Sequence, residues 1–194
     1  MAKSANLLVD GLGAPRTIGL LLPLHWQTVA LLLAGVTTSA RVVLARDAAD
    51  LAECEAAFVL AEQAEAALDA GVGEVLAVSG HPLGLPATGL PPLVLDYAVE
   101  VPSYADHFGG PRPRQAQVQA AGSTVDPLPG VTSTTRLLMT MDPADPAAAA
   151  VLLGALHSGG SVVLLRTGEP EQVAAAERVT ATAGISLEGL TRLA

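Results

Sequence analysis

The sequence predicts an α/β fold with a largely parallel sheet flanked by helices, and three observations lead to this prediction. Short apolar runs alternate with helix-length segments along most of the 194 residues, as β–α–β crossovers require. The strand-length runs are apolar throughout and do not alternate with polar residues, which is typical of strands buried on both faces. Hydrophobic residues make up 51% of the chain and charged residues 15%, a composition that indicates a folded core.

The first part of the chain, up to residue 78, contains the regular alternation. A helix is predicted over residues 2–12, because apolar residues recur there at helical spacing until Gly11 and Gly13 end the run. Four strands are predicted to follow, at residues 17–22, 41–45, 57–60 and 74–78. The helices between them are predicted at residues 24–36, 47–55 and 62–70, the last ended by Gly71.

The middle of the chain is predicted to be mostly irregular. Residues 79–92 are rich in proline and glycine, so they form a loop. Residues 93–101 are expected to be extended, and residues 104–108 to form at most one helical turn. A second irregular stretch covers residues 109–130, with a short helix predicted over 115–121.

The last third returns to the alternating pattern. Residues 136–141 and 161–165 are predicted strands. One helix is predicted from Pro143, which follows Asp142, to His157, and another from Pro170 to Ala183, because proline is favoured at the first helical position. Residues 185–193 form either one more strand or a tail. We expect residues 1–194 to form a single α/β domain.

Charge and cysteine content exclude several classes of partner and compartment. The net charge is −9, which repels nucleic-acid phosphates, so we expect no nucleic-acid partner. The most apolar early window, residues 20–36, is interrupted by Pro23, His25 and Gln27, so neither a membrane span nor an export signal is predicted. Cys54 is the only cysteine, which excludes an internal disulfide. We therefore expect a cytoplasmic protein that does not bind membranes.

No catalytic or metal-ligating residue is predicted from the residue patterns. The four histidines lie in separate segments without the spacing of metal ligands: His25, His81, His107 and His157. Cys54 is predicted to be a packed helix residue and not a nucleophile, because Glu53 and Glu55 disfavour its thiolate. Trp26 either lines a pocket at the carboxyl end of a strand, where open α/β sheets bind ligands, or caps the core; we favour the core.

Several segments resemble the adenylate-forming superfamily, which includes the acyl-CoA synthetases. Residues 18–36 resemble the early strand, turn and helix of these enzymes, and Ala5-Asn6-Leu7-Leu8 resembles the helix before them. The match continues in order through residues 130–140, 159–164 and 177–180. The resemblance is to short relatives of these enzymes, and it implies the fold of part of their N-terminal domain.

The same resemblance implies that the catalytic parts are missing. The superfamily has a phosphate loop, TSGTTGxPKG, where this chain has AGSTVDPLPG at residues 121–130, without the second glycine and the lysine. Such a loop directs backbone amides and a cation at phosphates. The adenine-binding motif, the ribose-binding aspartate and the C-terminal domain with the catalytic lysine have no counterpart, and Lys3 is the only lysine. No cofactor is therefore expected.

Three functions are consistent with these observations. We favour a catalytically incomplete acyl-CoA synthetase-like protein that binds a partner protein or a small acyl-type or nucleotide-like ligand. The alternatives are an active acyl-CoA or acyl-adenylate-forming enzyme with an atypical site, and a structural subunit of an oligomer. Uncovered strand edges predict a homodimer. Because the first helix begins almost at Met1, we also expect either an upstream extension of the reading frame or a sheet that has lost strands.

Overall fold

A computed structural model describes residues 1–110 and 117–194, in which the chain folds into two compact units. The first unit is Met1–Gly122 and the second is Ser123–Ala194. The single domain expected over residues 1–194 stays a prediction.

The described residues of the first unit contain four α-helices and six strands, and the first four of these strands lie where strands were predicted. Its α-helices are α1 (Ala2–Asn6), which continues as a π-helical turn over Leu7–Gly11, α2 (Trp26–Thr38), α3 (Ala64–Asp69) and α4 (Tyr97–Glu100). Short 3-10 turns occupy Ala48–Leu51, Ala61–Gln63 and Val101–Ser103. The strands are β1 (Thr17–Leu21), β2 (Arg41–Leu44), β3 (Ala56–Leu60), β4 (Glu74–Val78), β5 (Val94–Asp96) and β6 (Val118–Ala120).

The first sheet is mainly parallel and has β1 near its centre. Within the first unit its order is β5-β4-β3-β1-β2-β6. The next strand along the chain is the two-residue β7, Ser123–Thr124. The pairs from β5 through to β6 are all parallel, and Ile18 of β1 is in register with Val42 of β2 and Ala56 of β3. The predicted α/β class with a largely parallel sheet between helices is therefore confirmed.

Helices cover both faces of this sheet. On one face α2 lies so close that a Cβ added at Gly35 would be 2.5 Å from Val42 Cγ2 and 2.7 Å from Ile18 Cδ1. The other face is covered by the 3-10 turn at Ala48–Leu51 and by α3. The core there consists of small and branched apolar side chains: Leu21, Ala45, Leu51, Cys54, Ala57, Val59, Ala64, Ala67, Val72 and Val75.

The second unit repeats the parallel arrangement on a smaller scale. Its helices are α5 (Pro146–His157) and α6 (Pro170–Ala176), and its strands are β8 (Arg136–Met139), β9 (Ser161–Leu164), β10 (Ala181–Ala183) and β11 (Thr191–Arg192). The sheet order is β11-β10-β8-β9, and all three pairs are parallel. Thr191–Arg192 shows that the ending contains a strand, one of the two predicted alternatives.

Two predicted helices are wrong in extent. In place of a helix over 47–55 there is one 3-10 turn, because the chain bends onto β1, where a Cβ at Gly19 would be 2.3 Å from Leu51 Cδ2. The helix predicted to reach Ala183 ends at Ala176, since residues 181–183 pair between β8 and β11.

The start of α5 and the segment after β5 also differ from the prediction. α5 begins at Pro146, because the Asp145 carboxylate accepts the N–H groups of Ala147 and Ala148 at its start. The predicted extended segment 93–101 is a strand only over Val94–Asp96, after which Asp96 caps α4.

The two irregular segments were predicted with unequal success. Residues 79–92 contain no helix or strand, as predicted. No helical turn forms over 104–108; the nearest turn is the 3-10 turn at Val101–Ser103. The helix predicted over 115–121 is wrong for residues 117–121, which contain β6, and residues 115–116 lie outside the described residues. The stretch predicted to be irregular over 109–130 contains both β6 and β7.

Within residues 1–110 and 117–194, no helix combines the length and the apolarity that a membrane crossing requires.

Candidate functional site

The first sheet has a topological switch point, where successive connections leave on opposite faces. The chain passes from β1 through α2 to β2 on one side of the sheet, and then continues from β3 through α3 to β4 on the other. Helix α2 packs on the face of Ile18, whereas α3 packs on the face of Leu21. In open α/β sheets, ligands bind in the crevice that this divergence opens at the carboxyl ends of the strands. The carboxyl ends of β1 and β3 therefore form the candidate site.

One loop crosses this crevice, and we call residues 79–85 the covering loop. A Cβ added at Gly80 would lie 3.0 Å from Leu60 Cδ2, at the end of β3. Further along, the indole Nε1 of Trp26 donates a hydrogen bond of 2.9 Å to the carbonyl oxygen of Pro82. The loop starts from β4, so it runs past the end of β3 to the start of α2.

Trp26 is the first residue of α2 and is 49% exposed. At this exposure the prediction that Trp26 caps the core is wrong, and the alternative that it lines a pocket at the carboxyl end of a strand stays a prediction. Its exposure follows from α2 beginning at the sheet edge, five residues after Leu21 ends β1. A Cβ at Gly84 would lie 2.8 Å from Trp26 Cζ2, so the covering loop is in close contact with the indole.

The covering loop is held by its own polar groups. The Ser79 hydroxyl donates to the carbonyl of Leu85 and accepts the N–H of His81 at 3.2 Å. The Nδ1 atom of His81 accepts the N–H of Leu83 at 3.1 Å. Leu83 is 78% exposed and Leu85 is 49% exposed. The loop therefore places two leucines in solvent beside the half-exposed indole.

The first turn of α2 is capped by a histidine. His25 Nδ1 accepts the backbone N–H of Gln27 at 3.3 Å, and the Thr28 hydroxyl donates to the carbonyl oxygen of Pro23 at 2.7 Å. The His25 ring lies 5.6 Å from the Trp26 ring, between centroids. Gln27 is only 2% exposed, yet its side-chain Oε1 has no hydrogen-bond partner among the described residues. Gln27 was not predicted to be a functional residue, because the burial of a polar side chain becomes visible only in the tertiary structure.

The surroundings of Cys54, His107 and His157 are those of residues with structural roles. Cys54 is buried beside Gly19, and burial raises the pKa of its thiol to about 11. It follows the 3-10 turn and is not in a helix, so the helical part of its prediction is wrong. His107 provides its backbone carbonyl to the Asn6 amide at 2.9 Å, and His157 is the last residue of α5. No group of three or more His, Cys, Asp or Glu side chains in the described ranges is arranged to hold a metal ion.

Residues 121–130, which the resemblance aligns with the superfamily's phosphate loop, make backbone contacts within the chain. Ala121 and Gly122 both have positive φ values, of 49° and 73°, and form the turn between β6 and β7. Farther along, the backbone N–H of Leu128 donates to the carbonyl of Ala150 in α5 at 2.8 Å. A Cβ at Gly154 of the same helix would lie 2.7 Å from the Leu128 carbonyl oxygen. The backbone at Leu128 is therefore packed on α5 and does not present its amide to a ligand.

Each unit also contains an open groove. The groove of the first unit, of about 440 Å³, is lined mainly by β2, the 3-10 turn, and the end of β6, and includes Arg41, Asp50 and Glu53. The guanidinium of Arg41 lies 3.5 Å from the Glu53 carboxylate. The groove of the second unit, of about 380 Å³, lies between α6 and residues 187–190 and is mostly apolar.

A protein of Mycobacterium tuberculosis is similar in sequence to most of this chain. The chain is 35% identical over 196 aligned positions to the "TIGR03089 family protein" of Mycobacterium tuberculosis (strain ATCC 25618 / H37Rv), covering 92% of this chain and 79% of that protein. No family model matches.

Solved structures of adenylate-forming enzymes are similar to almost the whole chain. They include the Brucella canis acyl-CoA synthetase, with a TM-score of 0.69 and 16% identity. The amide bond synthetase McbA of Marinactinospora thermotolerans has a TM-score of 0.61 and 20% identity, and the N-terminal domain of FACL13 from M. tuberculosis has 0.64 and 14%. Each match covers 94% of this chain, but the chain spans only 40%, 42% and 53% of these three structures, respectively. The chain thus has the fold of part of the N-terminal region of acyl-CoA synthetases, as the sequence resemblance implied.

Proposed function

This chain belongs to the family of the M. tuberculosis TIGR03089 family protein, and we propose that it is a catalytically incomplete relative of the acyl-CoA synthetases that binds a small ligand. The binding site in this proposal is the carboxyl edge of the first sheet, between the start of α2 and the covering loop. The ligand is of the acyl or nucleotide type. Fold similarity alone does not specify an activity, so each part rests on particular residues.

The proposal depends mainly on residues 121–130, which lack the features of a phosphate loop although the surrounding fold is retained. Stabilising a transferred adenylyl group requires cations or backbone amides directed at its phosphates. Here the backbone N–H of Leu128 donates to a carbonyl of α5, and Val125 and Leu128 provide no side-chain cation. Lys3, the only lysine, forms an ion pair with Asp106 at 3.3 Å and donates to the carbonyl oxygen of Pro102 at 3.1 Å. These contacts support the loss of adenylation chemistry.

The exposed indole supports a ligand site at the sheet edge. Trp26 offers an apolar, flat face at the switch point, and such faces bind planar rings by stacking. The topology favours the same place, because ligands of open α/β sheets bind at the carboxyl ends beside the switch point. Leu83 and Leu85 of the covering loop add apolar surface next to it.

Catalysis is tested by ATP–pyrophosphate exchange with a panel of carboxylic acids. We expect no exchange above the blank without protein. Exchange that depends on an added acid would contradict the proposal and support the alternative of an active acyl-adenylate-forming enzyme.

Ligand binding is tested by the fluorescence of Trp26, which is the only tryptophan. Adenosine serves as the nucleotide-like probe and hexanoic acid as the acyl probe. We expect a saturable change with one of them at up to millimolar concentrations. No saturable change with either would contradict a ligand of the acyl or nucleotide type and favour the alternative of a partner protein.

We also propose that the protein is a cytoplasmic homodimer. The single cysteine suits a reducing compartment, and cell fractionation tests the location. In the second unit, β9 is an edge strand whose four residues are all half-buried, and such edges are commonly covered by association. Sedimentation at micromolar concentration is expected to give twice the chain mass of 19.5 kDa; the chain mass itself would contradict the dimer and the structural-subunit alternative.

A further inference from the structure

Gln27 has a polar side chain at a buried position that favours an apolar residue. It is 2% exposed, and its Oε1 has no partner among the described residues. Three neighbouring polar groups are paired: Trp26 Nε1 with Pro82, the Gln27 N–H with His25, and the Thr28 hydroxyl with Pro23. A buried amide oxygen without a donor is unfavourable, whereas an apolar side chain of the same shape carries no such penalty. Packing therefore does not explain a glutamine here.

The same residue of the covering loop lies against both Gln27 and Trp26. A Cβ at Gly84 would be 3.0 Å from Gln27 Nε2 and 2.8 Å from Trp26 Cζ2. The loop is attached to the start of α2 by the hydrogen bond from the indole to Pro82. Moving this loop would therefore uncover the buried amide and one face of the indole at the same time.

We infer that Gln27 is the specificity-determining residue of the sheet-edge site, and that its Oε1 accepts a hydrogen bond from a neutral N–H group on a planar ligand that stacks on Trp26. This inference rests on the proposed ligand-binding function. A carbonyl oxygen can only accept, so the ligand has to donate. Gln27 lies in the first turn of the 13-residue helix α2, whose N-terminal end is electropositive and disfavours a cationic donor. The chemistry that fits is an aromatic ring carrying an uncharged amide or amino group.

A pair of probes tests the donor requirement. Benzamide has a ring and an N–H donor, and methyl benzoate has the same ring with acceptors only. Each is titrated into the full chain while the fluorescence of Trp26 is recorded. We expect benzamide to bind at least tenfold more tightly than methyl benzoate, because a buried acceptor left unpaired penalises the analogue without the donor.

Two glutamine variants separate specificity from packing. Gln27→Met removes the acceptor but retains the length of the side chain. Gln63→Met is the matched control, since Gln63 Oε1 already accepts the N–H of Leu60 at 3.4 Å. We expect Gln27→Met to abolish the preference for benzamide while its melting temperature stays the same or rises by about 2 °C. Gln63→Met is expected to keep the preference.

The other outcomes overturn the inference in distinguishable ways. If the melting temperature of Gln27→Met falls by several degrees while the preference for benzamide is intact, the Gln27 oxygen stabilises the fold by accepting a hydrogen bond from a water molecule and does not set specificity. If adenosine or hexanoic acid binds but benzamide and methyl benzoate bind equally or not at all, the specificity role of Gln27 is wrong and the proposed function stands. If none of the four probes binds, both are wrong.

Discussion

Replacing Gly84 with alanine should detach the covering loop from Trp26. Gly84 has a φ of +65°, and a residue with a side chain costs about 1–2 kcal/mol in this left-handed region. The new Cβ would also meet Trp26 Cζ2 at 2.8 Å, a distance that real Cβ atoms do not reach, so the loop or the indole has to move. Losing the hydrogen bond from the indole to Pro82 costs about 0.5–1.5 kcal/mol more. We expect a total destabilisation of about 1.5–3.5 kcal/mol.

The matched control is Gly89→Ala in the following part of the same proline- and glycine-rich segment. Gly89 has a φ of +69°, but nothing lies within 4 Å of its added Cβ. Both variants therefore carry the backbone strain, and only Gly84→Ala has the contact with Trp26. We expect its melting temperature to be about 2–4 °C below that of Gly89→Ala, corresponding to about 1 kcal/mol. Trp26 emission should shift to the red and its quenching by acrylamide should increase only in Gly84→Ala. Equal melting temperatures and equal emission in the two variants would show that the contact between Gly84 and Trp26 does not hold the covering loop.

Four further predictions concern packing, pH dependence, capping and domain organisation. Cys54→Ser should lower the free energy of unfolding by about 1 kcal/mol without changing ligand binding at Trp26. Burial raises the pKa of the Cys54 thiol from 9.0 to about 11. The protonated thiol therefore contributes fully to the free energy of unfolding below pH 9, and this contribution is lost as the pH rises through 11. Denaturant titrations of the wild type and of Cys54→Ser at pH 8 and pH 11 measure the difference. Asp145→Ala should lower the free energy of unfolding by about 1 kcal/mol, because it removes the N-terminal cap of α5. The control is Asp126→Ala, which removes an exposed carboxylate outside any helix. Residues 1–194 should unfold in one calorimetric transition as a single domain, and two separated transitions would contradict this.

The strands were predictable because burial on both faces leaves a local record in the sequence. Residues of β1 are buried at all five positions, and β4 is buried at four of five. A strand in such a place has to be apolar without interruption, whatever its neighbours are. The alternation of these runs with helices then implies parallel pairing, since crossovers of that length return the chain in the same direction.

The ends of elements were less predictable, because distant parts of the chain decide them. Residues 170–183 are rich in alanine, which favours a helix at each position. Residues 181–183 nevertheless pair with β8, whose partner residues lie more than 40 positions earlier in the chain. Similarly, the segment after Asp47 bends onto β1, because Gly19 leaves space there for Leu51. Neither partner is visible in the local sequence.

The class of fold, the parallel sheets and the missing phosphate-loop pattern could be predicted from the sequence alone, since these depend on residue type and order along the chain. By contrast, the half-exposure of Trp26 and the burial of Gln27 with an unpaired side-chain oxygen are visible only once the chain is folded. Both properties depend on a loop whose contact residue, Pro82, is 56 positions away from Trp26. Local periodicity carries no information about that contact, because the exposure of a side chain is set by what the folded chain places over it.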